Sequence, residues 1–193
     1  MENKRRNFIK STTLAGLGMG LAGNLSLYAN GMGKTGGRIG IIGLDTSHVT
    51  AFTKAINDPE RPEFKGFTVV AAYPTKGSAD MPASIDRIGM FTEQVSAMGV
   101  EIVGSIKALV AKGDFVLLES VDGRRHLDEA LPVLKAGKRM FIDKPISNSL
   151  AGAIALFEAS EKYKTPIFSA SSTRFAPESV EIAKGKETVG TVL

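Results

Sequence analysis

A lysine closes a short apolar run in this sequence, Gly137-Lys138-Arg139-Met140-Phe141-Ile142-Asp143-Lys144-Pro145. With residues 139–143 as a strand, Lys144 is delivered at its C-terminal end, where open α/β sheets bind their ligands. A lysine there can hold a substrate hydroxyl and help to move its proton. Pro145 fixes the backbone just after it and biases Lys144 away from helix. The competing reading is a solvated lysine at a strand-to-loop turn, because a tripeptide carries little information alone. A second set of chemistry-bearing residues is Asp45-Thr46-Ser47-His48, directly after Gly43 and Leu44. The remaining histidine is His126, and the chain has no cysteine. Thiol chemistry, disulfides and cysteine-bound metals are therefore excluded.

The elements that must position these residues alternate regularly. Strand-like apolar runs occupy residues 38–43, 67–73, 100–103, 115–119, 139–143 and 166–170. Helical patterns lie between them, over about 47–57, 85–98, 106–111, 125–136 and 150–163, with Ser105 and Ser149 placed as N-caps. Residues 74–84 contain Pro74, Gly77, Ser78 and Pro82 and read as a long loop. Short strands alternating with helices imply an α/β fold with a doubly wound parallel sheet.

The first 29 residues read as a leader outside that fold. Arg5-Arg6-Asn7-Phe8-Ile9-Lys10 precedes an uncharged stretch from Ser11 to Ala29, broken by Gly16, Gly18, Gly20 and Gly23. Paired arginines before a weakly apolar segment resemble a twin-arginine export signal. The implied partner is the twin-arginine export machinery and the implied destination the periplasm. Ala29 suits the position before a cut, whereas Leu27 is bulkier than an Ala-x-Ala site prefers. Residues 30–37 form a Gly-rich linker. The leader holds most of the formal charge of +4, since Lys4, Arg5, Arg6 and Lys10 stand against Glu2 alone. No basic stripe remains in the rest, so nucleic acid is not an expected partner.

Three stretches together carry a resemblance. They are the strand ending Gly40-Ile41-Ile42-Gly43, the run Val100-Glu101-Ile102-Val103-Gly104-Ser105 before a helix and Asp114-Phe115-Val116, and Gly137 to Pro145. Residues 38–190 resemble the N-terminal, Rossmann-like nucleotide-binding domain of the glucose-fructose oxidoreductase / inositol dehydrogenase / rhizopine-catabolism (Gfo/Idh/MocA) family. Arg174-Phe175-Ala176-Pro177 resembles the stretch where that family's chain leaves the sheet. The resemblance implies an NAD- or NADP-dependent oxidoreductase acting on a hydroxyl of a sugar, cyclitol or derivative. It also implies that Lys144 contacts the substrate hydroxyl and the nicotinamide ribose. Asp143 stands where the family has glutamate before that lysine, and His126 matches a histidine common in the family. The other reading of His126 is a helix-start residue with no chemical role. A nucleotide carried through twin-arginine export would have to be tightly bound. The family has a second α+β domain after the sheet. Thr188 to Leu193 looks like its first strand, so the chain is expected to be truncated after a nucleotide-binding domain of residues 38–187. The resemblance leaves homo-oligomerisation through the missing domain open.

The glycine fingerprint departs from the family. Aligned to Gly-x-Gly-x-x-Gly, residues 43–48 read Gly43-Leu44-Asp45-Thr46-Ser47-His48, so only the first glycine is kept. Asp45 then has two readings. It either faces the pyrophosphate, with His48 offsetting its charge, or it caps the following helix with Thr46 and Ser47. The acid that normally holds the ribose at the end of the second strand is also absent, and Pro74 stands there. Lys76 and Ser78 could hold a 2′-phosphate and favour NADP; the alternative is a solvated loop. The residues expected at the cofactor are thus Gly43, Asp45, Thr46, Ser47, His48, Lys76, Ser78, His126 and Asp143, with Lys144 catalytic. No metal site is expected; a set of Asp45, His48 and His126 lacks any ligand-spacing motif. The competing function is a degenerate sensor or binding protein that has lost the dinucleotide.

Overall fold

The computed structural model describes residues 36–184. The leader over 1–29, most of the 30–37 linker and the strand expected at 188–193 lie outside the described residues. Six strands alternate with helices: β1 Gly37–Ile42, α1 His48–Ile56, β2 Phe67–Tyr73, α2 Pro82–Ala97, β3 Glu101–Ile102, α3 Ile106–Lys112, β4 Phe115–Leu118, α4 His126–Lys135, β5 Arg139–Ile142, α5 Leu150–Lys162 and β6 Ile167–Phe168. A 3₁₀ turn at Ser172–Phe175 and α6, Pro177–Ala183, follow. Pro62–Phe64 forms another 3₁₀ turn before β2.

The strands form one six-stranded sheet in the order β3-β2-β1-β4-β5-β6, and every pairing is parallel. The order reverses between β1 and β4. This is the doubly wound arrangement, whose ligand crevice opens at that reversal, beyond the carboxyl ends of the strands.

Strand side chains alternate between two apolar layers, as the pleat requires. Val116 and Leu118 of β4 and Met140 and Ile142 of β5 face one layer, with Leu109, Val133, Leu134 and Leu156 from α3, α4 and α5. Ile39 and Ile41 of β1 and Val69 of β2 face the other, with Val49 of α1 and Phe91 and Val95 of α2. Each fully buried aliphatic side chain adds roughly 1.5–3 kcal/mol by removal from water. Beyond β4 the second face is open among the described residues. Phe52, Leu117, Phe141 and Phe168 line a hollow of about 310 Å³ there, and Phe168 is 63% exposed.

Local signals set the helix ends. Ser105 accepts from the Ala108 N–H at 3.2 Å and Ser149 from the Gly152 N–H at 3.1 Å, so both expected caps are formed. Helix α2 begins earlier than the pattern suggests. Pro82 takes a place in its first turn, where a missing N–H costs nothing.

Candidate functional site

The register aligns three strand ends. Ile42 is paired with Leu118, and Leu118 with Ile142. The next residue of each strand is therefore Gly43, Glu119 and Asp143. Each continues the ladder by one bond: Gly43 N–H to Tyr73 O at 2.9 Å, Glu119 N–H to Ile42 O at 2.7 Å, and Asp143 N–H to Leu118 O at 2.9 Å. This places two carboxylates and a glycine side by side at the point where the sheet order reverses.

Gly43 is required by geometry. Its φ is +87°, and a Cβ there would run into the backbone N and Oγ of Ser120. Helix α1 starts five residues later with His48. The His48 N–H donates to Thr46 Oγ1 at 3.3 Å, while Ser47, the N-cap, makes no side-chain cap bond. Thus Thr46 performs the capping that the sequence divides among Asp45, Thr46 and Ser47.

Asp45 is only 1% exposed. It accepts from Ser84 Oγ at 2.5 Å and from the Val121 N–H at 3.2 Å. It is therefore no helix cap. Its carboxylate ties the loop after β1 to the loop after β4 and to α2.

His48 turns toward the strand ends. Its Nδ1 lies 2.6 Å from Asp143 Oδ2 and 4.0 Å from Glu119 Oε2. Its side chain is 37% exposed, whereas that of Glu119 is fully buried. Among the described residues, neither Glu119 oxygen has a hydrogen-bond partner. Burial, and then the neighbouring Asp143 charge, push the Glu119 carboxyl up to about 8, against a smaller opposing pull from Lys144. Its proton is thus largely retained at neutral pH, which removes one negative charge from the crevice. Lys144 itself is exposed at the mouth, one residue past Asp143 and before a cis proline.

His126 opens α4 and is fully buried. Its Nε2 lies 2.7 Å from Ser120 O and its Nδ1 3.1 Å from Ile146 O. The ring thus joins the loop after β4 to the turn carrying Lys144. Both nitrogens lie within hydrogen-bond distance of main-chain oxygens, and a neutral ring donates to one of them.

The loop after β2 is held in the same way. The Ser78 hydroxyl donates to Asp122, and Arg125 donates to Gly77 O. Arg124 Nη2 donates to Asp122 Oδ2 at 2.7 Å and to Asp80 Oδ1 at 2.6 Å. The Arg124 guanidinium and the Ser78 hydroxyl hold the Asp122 carboxyl well below the usual carboxylate range. Ser78 is therefore not the free phosphate donor the sequence suggests, because its hydroxyl is already donated to a carboxylate. Lys76 remains exposed beside it.

The structure therefore brings together Gly43, His48, Asp143 and Lys144 from the expected set. Asp45 and His126 do not join His48 in a ligand cluster. Glu119 takes their place: a candidate that sequence reasoning left unremarked, although a carboxylate ending an apolar strand was there to be read. A hollow of about 810 Å³ is lined by residues of the 56–68 segment, among them Pro62 and Phe67, and by Met98. It includes Phe67 and Thr68, the first residues of β2, and so lies at the opposite end of the strands from Lys144.

A dinucleotide fits the backbone here better than the side chains. The strand order, the positive φ of Gly43 and the start of α1 at the reversal provide the usual cradle. Asp45, however, fills the place of the second glycine and bridges the crevice walls.

The domain is a Rossmann-like α/β domain with a doubly wound parallel sheet. No family model matches the sequence, and no curated protein matches it. Solved structures do, among them dehydrogenases and a 3-ketoreductase. UDP-N-acetylglucosamine 3-dehydrogenase GnnA from Acidithiobacillus ferrooxidans is 16% identical with a TM-score of 0.58, over 78% of this chain and 43% of that one. The dehydrogenase MviM from Clostridium difficile is 24% identical with a TM-score of 0.57, over 76% and 43%. A point variant of KijD10, a 3-ketoreductase from Actinomadura kijaniata in complex with TDP-benzene and NADP, is 22% identical with a TM-score of 0.53, over 76% and 41%. At these identities the likeness establishes the fold. The chain spans less than half the length of each.

Proposed function

We propose that this chain is the nucleotide-binding part of an NAD- or NADP-dependent oxidoreductase acting on a hydroxyl of a sugar, cyclitol or derivative. The observation that carries the proposal is the convergence of Gly43, Asp143 and exposed Lys144 at the reversal point of a 3-2-1-4-5-6 sheet. In this reading the nicotinamide supplies the hydride chemistry. The chain's own residues bind and orient. Lys144 holds the reacting hydroxyl and assists its proton, as an ammonium at a strand end can. His126 fixes the turn that presents Lys144, through Ile146. Lys76 is the one candidate left in the β2 loop for a 2′-phosphate.

A specific observation favours a second reading. Asp45 bridges Val121 and Ser84 across the crevice, as expected of a binding protein that has given up the dinucleotide. Extraction of bound nucleotide from natively purified protein, identified by mass, separates the two. NAD or NADP near one per chain supports the oxidoreductase; its absence from extracts, together with no saturable uptake of added NAD or NADP, refutes it.

We also propose export by the twin-arginine route, on Arg5-Arg6 and the weakly apolar stretch after them. Replacing both arginines by lysine should retain the protein in the cytoplasm, and undiminished export would refute the route.

A further inference from the structure

We propose that His48, Glu119 and Asp143 form a binding site for one divalent first-row transition-metal ion. One ligand atom from each residue lies within 4.8 Å of the others. The three come from the start of α1 and from the ends of β4 and β5, so the sheet register, and not one flexible loop, sets their spacing.

Glu119 is the key residue. Buried without a partner, its carboxyl is costly as an ion and still leaves unsatisfied polar atoms when protonated, and a coordinated metal removes both costs. Here the side chain is fully buried, both oxygens lack a hydrogen-bond partner among the described residues, and Oε2 lies 4.0 Å from His48 Nδ1. A cation among the three groups supplies the missing partner. Coordination at about 2.0–2.2 Å sets ligand atoms roughly 3–4 Å apart. The His48–Glu119 separation already fits. The His48–Asp143 contact, now 2.6 Å, would open by roughly 0.5 Å to meet that spacing.

The donor set indicates the kind of ion. One imidazole with two carboxylates suits manganese, iron or zinc, whereas calcium prefers six to eight oxygens. Three protein ligands leave positions for water or for a ligand's hydroxyl or carbonyl oxygen. The half-exposed His48 gives the ion a route in from solvent. The site shares Asp143 with the proposed nucleotide crevice, but its test uses no nucleotide, so the failure of one reading is distinguishable from the failure of the other.

The test is calorimetric titration of chelator-stripped, dialysed protein with zinc chloride and, separately, manganese chloride, with no nucleotide present. Wild type, Glu119→Gln and Asp143→Asn are compared, after circular dichroism shows that each is folded. One ion per chain is expected in wild type, bound at least tenfold more tightly than by either variant. Tm should rise with added metal in wild type, reversibly with EDTA, and by less in the variants. Equal affinity in wild type and both variants overturns the site. So does failure of both ions to bind at millimolar concentration. Should one variant fail to fold, the other decides by the same comparison.

Discussion

Replacing Glu119 by glutamine should stabilise the metal-free protein, and the gain should grow with pH. The Glu119 carboxyl is pushed up to about 8 in the folded protein, from an ordinary value of 4.5. Below pH 4.5 both the folded and unfolded chains hold the proton, and the residue costs nothing by this route. Between 4.5 and 8 the unfolded chain releases a proton that the folded chain keeps. Stability then falls as pH rises, and the loss is complete above 8. At roughly 1.4 kcal/mol per pH unit, the loss by pH 7 is on the order of 3 kcal/mol. Glutamine keeps the shape and has no proton to release. The assay is urea unfolding of both proteins at pH 5, 7 and 8.5, with chelator present to keep metals away. The gap between variant and wild type should widen by a few kcal/mol across that range. Parallel curves, within about 0.5 kcal/mol throughout, would show that Glu119 is solvated or paired and that the buried-carboxylate argument is wrong.

Three further substitutions test the site's framework. Asp45→Ala leaves the Val121 N–H and the Ser84 hydroxyl without their acceptor; a loss of about 2–4 kcal/mol is expected by chemical denaturation, and a loss below about 0.5 kcal/mol would remove Asp45 from its bridging role. Gly43→Ala should cost about 2–4 kcal/mol, because its φ of +87° and the adjacent Ser120 backbone leave no place for a Cβ; a neutral result would show that the loop after β1 moves freely. Lys144→Ala should change stability by no more than about 0.5 kcal/mol, as an exposed residue does, while the turnover proposed for the full-length protein is lost; full-length turnover near that of wild type would exclude Lys144 from the mechanism.

Features set by neighbouring residues were legible in the sequence. Strand β2 runs over residues 67–73 as its apolar pattern indicates, and the Ser105 and Ser149 caps act on N–H groups three residues away. Strand β3 shrinks from an expected 100–103 to Glu101–Ile102 because it is an edge, with one neighbour to pair with. Pro82 reads as a loop residue but starts α2, since proline suits a first helical turn as well as a turn. The side-chain partners at the site were not legible. Asp45 meets Ser84 and Val121, which are 39 and 76 residues away. His48 meets Asp143 across 95 residues. Such meetings depend on strand order, which apolar periodicity leaves undetermined. Glu119 could have been flagged as a carboxylate ending a central strand. Its burial, and its place beside His48 of α1 and Asp143 after β5, follow only from the strand order.

Calorimetric titration of NAD and NADP into protein freed of any retained nucleotide tests whether this crevice takes the nicotinamide dinucleotide proposed for it. One saturable site per chain for at least one of the two is predicted, with binding nearly unchanged in Lys144→Ala. No saturable binding of either nucleotide at millimolar concentration would contradict the claim.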